Sequence, residues 1–214
     1  MIEAILLDHG NVLSKNSGPD ISQICDFFKS EYGESLTTTS VEKALKETLT
    51  PFQEGAIEER YFWQNFLREV KIVQPINLEE SIWKRLGIMH DHLSKYKQGA
   101  IDIILKLKSR FPKLGLLSNS VKPLGEINRE RGRYNYFGEY VFLSYELGFE
   151  KPKKEAYQIS CKRMGVYPES TLFVDDSKKN VDGARENGLI AVPFDAGKQP
   201  YDDLYRNLVD LGVL

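Results

Sequence analysis

The residues of this chain that could do chemistry are a carboxylate, a hydroxyl, a lysine and a pair of acids. In chain order they are Asp8, Ser118, Lys151 and Asp175-Asp176. A carboxylate can serve as a nucleophile, and a hydroxyl or an ammonium group can stabilise a developing negative charge. The order therefore predicts a site in which a carboxylate nucleophile is accompanied by donors and by further acids.

Each of these residues also has an ordinary structural explanation when it is taken alone. Asp8 could be a turn residue, Ser118 part of a helix cap, and Lys151 a solvated surface charge. The acidic pair Asp175-Asp176 could simply begin a helix. Their shared position favours function, because all of them occur at predicted strand-to-helix turns or at a helix start, where open α/β sheets bind ligands.

Short apolar segments predict the strands that would position these residues. One apolar run ends at Asp8, followed by the turn formers Gly10-Asn11, and further strands are predicted at 114–117, 140–143, 171–174 and 189–194. From Gly99 onward helical and strand patterns alternate, which is typical of βαβ units. We therefore predict an α/β fold with a doubly wound, Rossmann-like parallel sheet. Right-handed crossovers would place the ends of strands one, two and four along one edge.

The pair Lys151-Pro152 is predicted to introduce a helix that runs to Met164. Proline is favoured at the first helical position, and Gly165 is a typical stop. Lys151 would then lie at a helix start, where the helix dipole favours anions.

Between Ser14 and Tyr96 the pattern is helical, without a convincing strand. Aromatic residues are dense in this stretch, and such a stripe is more often a helical core than a ligand cage. They are Phe52, Tyr61, Phe62, Trp63, Phe66 and Trp83. We predict that residues 1–14 and 97–214 form the α/β core, and that residues 15–96 form a helical cap domain inserted after the first strand.

The composition is ordinary for a globular protein. The chain has 214 residues, of which 41% are hydrophobic, and a formal net charge of -2. Neither nucleic acid nor a membrane is an expected partner, because the charge is balanced and no apolar run reaches the roughly 20 residues that span a bilayer. The amino terminus lacks the basic start of a signal peptide. We expect a cytoplasmic monomer or homodimer, with Cys25 and Cys161 as reduced packing residues.

At these positions the chain resembles the haloacid dehalogenase-like hydrolase superfamily, most of whose members are phosphatases. The matching segments are 7–13 (Leu-Asp-His-Gly-Asn-Val-Leu), 117–119 (Leu-Ser-Asn), Lys151-Pro152, and 173–177 (Phe-Val-Asp-Asp-Ser) through Asn180. The insertion is similar to the superfamily's small helical cap in its position and in Glu54-Gly55 followed by Phe62-Trp63. The form Asp-x-Gly-Asn-Val is similar to a subgroup that includes bacterial sugar-phosphate phosphatases such as α-glucose-1-phosphate phosphatase.

The resemblance implies a Mg²⁺-dependent phosphatase that acts on a small phosphorylated metabolite, with a sugar phosphate as the favoured substrate. Asp8 would attack phosphorus and become an aspartyl phosphate, while Ser118, Asn119 and Lys151 would contact the phosphoryl group. A cation is also needed physically, because a phosphate dianion repels a carboxylate nucleophile. The implied metal ligands are Asp8, the backbone carbonyl of Gly10 and Asp176, with Asp175 and Asn180 holding water on the metal.

The position two residues after the nucleophile departs from the superfamily pattern. A second Asp, the general acid-base, normally occupies it, and here it is Gly10. General acid-base catalysis contributes about 10²- to 10⁴-fold, so the enzyme could be slow or inactive. His9 is the obvious substitute, but adjacent side chains of an extended segment point to opposite sides. His9 is therefore either a packing residue or a group that contacts substrate.

Two other functions stay open. A 2-haloacid dehalogenase would direct the same nucleophile at carbon without a metal, although the acids Asp175-Asp176 would repel its carboxylate substrate. A catalytically inactive binding domain is the second alternative, because Gly10 occupies the position of the usual acid-base residue. The presence of Asp8, Ser118, Lys151 and Asp176 together argues against it.

Overall fold

The computed structural model describes residues 1–15 and 19–214. At its centre lies a five-stranded sheet in which every pairing is parallel, with the strand order β3-β2-β1-β4-β5. The strands are β1 Ala4–Leu7, β2 Leu114–Ser118, β3 Val141–Leu143, β4 Thr171–Asp175 and β5 Ile190–Pro193. The predicted α/β, doubly wound fold is confirmed, and each of the five predicted strands is present.

Both faces of the sheet are buried, which is why its strands are nearly continuous apolar runs. Ile5 and Leu7 contribute to the hydrophobic cluster on one face, whereas Ala4 and Leu6 contribute to the cluster on the other. β1 pairs with both β2 and β4. The residues that end these three strands or follow them therefore emerge at one edge, as the crossover rule predicts.

Six helices belong to the part of the chain after the insertion. They are α5 Gln98–Arg110, α6 Lys122–Glu130, α7 Ser144–Leu147, α8 Lys154–Met164, α9 Lys178–Glu186 and α10 Tyr201–Asp210. Buried residues of α5 and α10 pack on one face of the sheet, and those of α8 and α9 pack on the other. The sequence pattern does not predict α7, which has only four residues.

The described residues of the insertion contain four α-helices, α1 Ile21–Tyr32, α2 Thr38–Gln53, α3 Glu59–Glu69 and α4 Ile82–Met89, followed by a 3₁₀ turn at Asp91–Ser94. They share a hydrophobic cluster of their own, which Val121 and Leu124 from the α/β part complete. Of the six aromatic residues that the sequence analysis named, five are buried in this cluster, as a helical core requires. The sixth, Tyr61, is 56% exposed. Among the described residues, no helix is long and apolar enough to cross a membrane.

One helix start differs from the prediction. α8 begins at Lys154 and not at Pro152, and Lys151-Pro152 precedes it in a turn that contains a cis peptide bond. The side chain of Asn119 explains the difference, since it accepts a hydrogen bond from Lys151 N at 2.8 Å and donates one to Lys151 O at 2.9 Å. The prediction that Lys151 lies at a helix start was therefore wrong.

Candidate active site

Lys151 lies at the centre of a buried polar cluster. Its ammonium group donates to Oδ1 of Asp8 at 2.5 Å, to Oδ2 of Asp175 at 2.6 Å and to the carbonyl of Leu117 at 2.8 Å. These acceptors use all three hydrogens of the group. Burial alone would lower the pKa of Lys151, but the carboxylates of Asp175 and Asp8 outweigh it and raise the pKa. The lysine is therefore charged.

The three acceptors come from the three central strands. Asp8 follows β1 directly and its backbone N–H donates to the carbonyl of Val174 at 2.9 Å. Asp175 is the last residue of β4, and Leu117 is the last but one of β2. The lysine thus joins the ends of three neighbouring strands, which places the predicted nucleophile at the ligand-binding edge of the sheet.

Asp175 is held from several sides and its residue is fully buried. Besides Lys151, its carboxylate accepts hydrogen bonds from Ser177 N at 2.8 Å and from the side-chain amide of Asn180 at 3.0 and 3.2 Å. A carboxylate with this many donors is fixed in place and has little capacity left for a further direct ligand.

Asp176 is less enclosed than its neighbour. Within the described part of the chain, Asn11 is the one side chain that donates to it, from Nδ2 to Oδ2 at 3.0 Å. Asn11 has a φ of 55°, a left-handed conformation that asparagine tolerates better than most residues. The sequence analysis treated Asn11 only as a turn former, and its contact with an acid 165 positions away carries no local signal.

The three acids form an oxygen cluster that fits a divalent cation, and the charge of Lys151 offsets part of its negative charge. One oxygen each of Asp8, Asp175 and Asp176 lies within 4.8 Å of the other two, although the oxygens of Asp175 already accept hydrogen bonds. If all are ionised, three carboxylates and one ammonium group leave two net negative charges. Carboxylate oxygens at this spacing suit Mg²⁺.

Burial, with a smaller contribution from the neighbouring acids, raises the pKa of two of these carboxyl groups. Burial raises the pKa of Asp8 to about 7, against the opposing effect of Lys151 and with a further contribution from Asp175. Burial likewise raises the pKa of Asp176, although the hydrogen bond from Asn11 opposes the shift. A cation at this position would favour the ionised form of both groups.

The other predicted site residues differ in how close they lie to this cluster. Ser118 ends β2 and is buried beside Leu117, so it lies at the same sheet edge as Asp8. Gly10 is buried in the turn after Asp8, where it forms a bridge with Ser14. His9 is 1% exposed and packs edge-on against the rings of Tyr96 and Tyr134. This position favours the packing role for His9 over contact with substrate.

A cavity of about 250 Å³ lies between the insertion and the loop after β2. Asn119 and Ser120 of that loop contribute to its lining. Its other lining residues come mostly from the insertion and are mainly apolar; they include Ile21, Ile24, Leu45, Leu49, Gln53 and Trp83. The sequence predicts the helices that supply these residues, but not a pocket among them.

Comparisons with known proteins agree with the fold and identify the family. The sequence pattern of the family described as haloacid dehalogenase-like hydrolase matches residues 2–188. A glyceraldehyde 3-phosphate phosphatase from Methanothermobacter thermautotrophicus is 27% identical over 192 residues, which cover 85% of this chain and 80% of that protein. A haloacid dehalogenase family enzyme from Bacteroides thetaiotaomicron, solved with magnesium and inorganic phosphate, superposes with a TM-score of 0.70 at 20% identity, covering 96% of this chain and all of that one.

The same fold also occurs in an enzyme with different chemistry. The L-2-haloacid dehalogenase from Xanthobacter autotrophicus superposes with a TM-score of 0.61 at 20% identity, and covers all of this chain and 85% of its own. Similarity of fold therefore does not distinguish attack on phosphorus from attack on carbon, and the site residues must do so.

Proposed function

Since the chain belongs to the haloacid dehalogenase-like hydrolase family, we propose that it is a Mg²⁺-dependent phosphatase that hydrolyses a small phosphorylated metabolite through an aspartyl phosphate on Asp8. The observation that carries the proposal is the buried cluster in which Lys151 joins Asp8 to Asp175, with Asp176 beside them. The proposal includes the division into an α/β core of residues 1–14 and 97–214 and a cap of residues 15–96.

Asp8 and Asp176 would hold the cation directly, together with the backbone carbonyl of Gly10. Asp175 and Asn180 would support it from behind, because the Asp175 carboxylate is already engaged by Lys151, Ser177 and Asn180. When bound, Mg²⁺ supplies Lewis-acid polarisation of the phosphoryl group and screens its charge from the nucleophile.

The residues of the chain account for the first chemical step. The Asp8 carboxylate attacks phosphorus, the bond to the leaving oxygen breaks, and the phosphoryl group is transferred to Asp8, while the leaving oxygen departs as an alkoxide that takes a proton from water. Lys151 balances the negative charge that develops, and Ser118 with the backbone amide of Asn119 donates to the phosphoryl oxygens. Water then hydrolyses the aspartyl phosphate and releases inorganic phosphate.

The substrate preference follows from the missing acid at Gly10. His9 does not replace it, because burial lowers the pKa of its imidazole to about 3 and keeps the ring neutral near neutral pH, without the acidic proton of an imidazolium. A phosphate on a good leaving oxygen needs less protonation, and an anomeric sugar phosphate is such a substrate. The small, largely apolar cavity next to Asn119 would accommodate the leaving group.

One assay tests this function against both alternatives. The purified protein is given an aryl phosphate, a panel of sugar phosphates and a 2-chloro acid, each with Mg²⁺ or with a chelator. Release of phosphate that requires Mg²⁺ and is lost in Asp8→Asn is the expected result. The control Asp102→Asn makes the same chemical change at an exposed position of α5 and retains activity.

The other outcomes assign the other functions. Release of halide in the presence of chelator would identify a dehalogenase and reject the phosphatase. If no substrate is turned over under either condition, the chain is a binding domain that retains the architecture of an enzyme.

A further inference from the structure

The insertion touches the α/β part at a second place, away from the cluster around Leu124. α2 ends in a turn, residues 54–56, that lies against the segment 145–153. The carboxylate of Glu54 accepts a hydrogen bond from Glu150 N at 3.1 Å and pairs with Lys153 Nζ at 2.6 Å. One helical turn earlier, Thr50 Oγ1 donates to the Glu150 carboxylate at 3.0 Å. The two residues that Glu54 contacts lie one position before Lys151 and two after it.

The same turn also lies against α7. Gly55 has a φ of +68°, and a Cβ atom there would lie 2.6 Å from the backbone carbonyl oxygen of Tyr145. Only glycine permits so close an approach of two backbones. α7 is in turn bonded to the loop after β2, since Ser144 Oγ accepts from Ser120 N at 3.0 Å and donates to Ser120 O at 3.1 Å.

One turn of the insertion is thus connected, through two series of contacts, to two predicted contributors to phosphoryl binding. One connection runs from Glu54 through Glu150 to Lys151, and the other from Gly55 through α7 to the loop that carries Asn119. The Glu54 side chain is 14% exposed and that of Lys153 is 46% exposed, so the ion pair alone contributes little, and the hydrogen bond from Glu150 N is the more enclosed of the two contacts. A contact of this kind can hold a segment in place as well as stabilise it.

We propose that the turn 54–56 positions the Lys151 segment and the loop after β2 relative to Asp8, with Glu54 and Gly55 as positioning residues for the reaction. This inference rests on the proposed phosphatase function. Docking of the insertion then does more than cover the site, because it aligns the ammonium group of Lys151 and the backbone amide of Asn119, which stabilise the transferred phosphoryl group. Misplacement of such groups by about 1 Å can reduce the rate on the order of 100-fold.

Two glycine substitutions provide a matched test. Gly55→Ala introduces a methyl group that must push the turn away from Tyr145, whereas Gly33→Ala imposes a similar left-handed strain, at φ +72°, with nothing within 4 Å of the added atom. Both variants should lose stability from the left-handed backbone, and Gly55→Ala should lose more because its methyl group also meets the Tyr145 carbonyl, so kcat is compared after correction for the folded fraction. Only Gly55→Ala is expected to lower kcat, by roughly 10- to 100-fold. The loss should be equal for a small aryl phosphate and for a larger substrate, because the defect lies at the phosphoryl group.

A change confined to KM for the larger substrate would overturn the inference, since the turn would then contact only the leaving group. Equal kcat values for Gly55→Ala and Gly33→Ala would overturn it as well. Glu54→Gln keeps an acceptor for Glu150 N but loses the ion pair with Lys153, so it should retain more activity than Glu54→Ala.

Hydrogen exchange separates this inference from the proposed function. The Glu150 amide should exchange faster in Gly55→Ala and in Glu54→Ala than in the wild type, and at the wild-type rate in Gly33→Ala. If the wild type hydrolyses no phosphate ester, the phosphatase proposal fails by itself. Exchange at Glu150 then still decides whether the turn holds the Lys151 segment, and unchanged exchange in Gly55→Ala rejects it.

Discussion

His9 directly follows the proposed nucleophile, yet its surroundings are those of a core residue. Its ring centroid lies 5.5 Å from that of Tyr96 and 5.8 Å from that of Tyr134, both in edge-on geometry. Among the described residues, no hydrogen-bond partner reaches Nε2, although the atom is buried. Burial, with the positive charges of Arg133 and Lys151, lowers the pKa of His9 to about 3. These features describe a neutral aromatic ring used for packing.

Substitution of His9 distinguishes the packing role from a catalytic one. His9→Phe preserves the edge-on ring contacts and removes the polar nitrogen, and His9→Asn provides a smaller polar replacement that cannot transfer protons. If His9 only packs, both variants retain kcat within a few fold, once activity is corrected for the folded fraction measured by circular dichroism. A general acid-base would lose about 10²- to 10⁴-fold in both, and that result would contradict the packing role.

Asp8, Ser118 and the pair Asp175-Asp176 were predictable because each ends or directly follows an apolar strand, whereas Lys151 lies between two helices. Asp8 and Asp175 could be placed at one sheet edge from the order of the strands and the handedness of their connections. Asn11, Asn119 and Glu54 could not be given roles in this way. Their contacts, to Asp176, Lys151 and Glu150, join positions 165, 32 and 96 residues apart and depend on side-chain packing.

At the scale of elements, α10 stabilises the turn that carries Asp8. The hydroxyl of Tyr201, the first residue of α10, donates to the carbonyl of Val12 at 2.6 Å. The Tyr201 ring packs so closely on α5 that a Cβ atom at Gly99 would lie 2.4 Å from it. A second contact comes from Ala196 N, which donates to the carbonyl of Asn11 at 2.6 Å. The last helix of the chain thus supports the loop after its first strand.

Removal of the Tyr201 hydroxyl should weaken this support. Tyr201→Phe keeps the ring and leaves the carbonyl of Val12 without that donor, at an expected loss of roughly 0.5–1.5 kcal/mol in the free energy of unfolding measured with urea. A lower kcat should accompany the loss, because the Asp8 turn becomes less constrained. Tyr205→Phe, a half-exposed tyrosine of the same helix, is the control and should change neither quantity. Identical behaviour of the two variants would exclude a supporting role for Tyr201.

Periodicity predicted the long elements better than the short ones. The strands and the helices of the insertion are specified by apolar patterns over several turns or residues. The start of α8 was misplaced because proline favours a first helical position, whereas Asn119 fixes the backbone of Lys151 outside the helix. α7 spans four residues, too few for a helical period to appear in the sequence.

For the molecule as a whole, the cluster of acids links metal binding to stability. Asp8 and Asp175 are buried and Asp176 is half-buried around a single ammonium group, so the folded state concentrates negative charge that the unfolded chain disperses. A ligand that binds only the folded state stabilises it by an amount set by its concentration and its Kd. The proposed Mg²⁺ site can therefore be tested without any substrate.

Mg²⁺ at about 100 times its Kd should raise the free energy of unfolding by roughly 2.7 kcal/mol, measured by urea unfolding with Mg²⁺ or with a chelator. Asp176→Ala should lose most of this increment, because Asp176 is assigned as a direct ligand. Asp182→Ala, which changes a more exposed acid of α9, should keep it.

Asp175→Ala should behave differently from Asp176→Ala. In chelator it should lose roughly 3–5 kcal/mol in the free energy of unfolding, because a buried ion pair is broken. Its apparent Mg²⁺ affinity should change less than that of Asp176→Ala. Equal increments in the wild type and Asp176→Ala would contradict the ligand assignment, and no increment in the wild type would contradict the metal site itself.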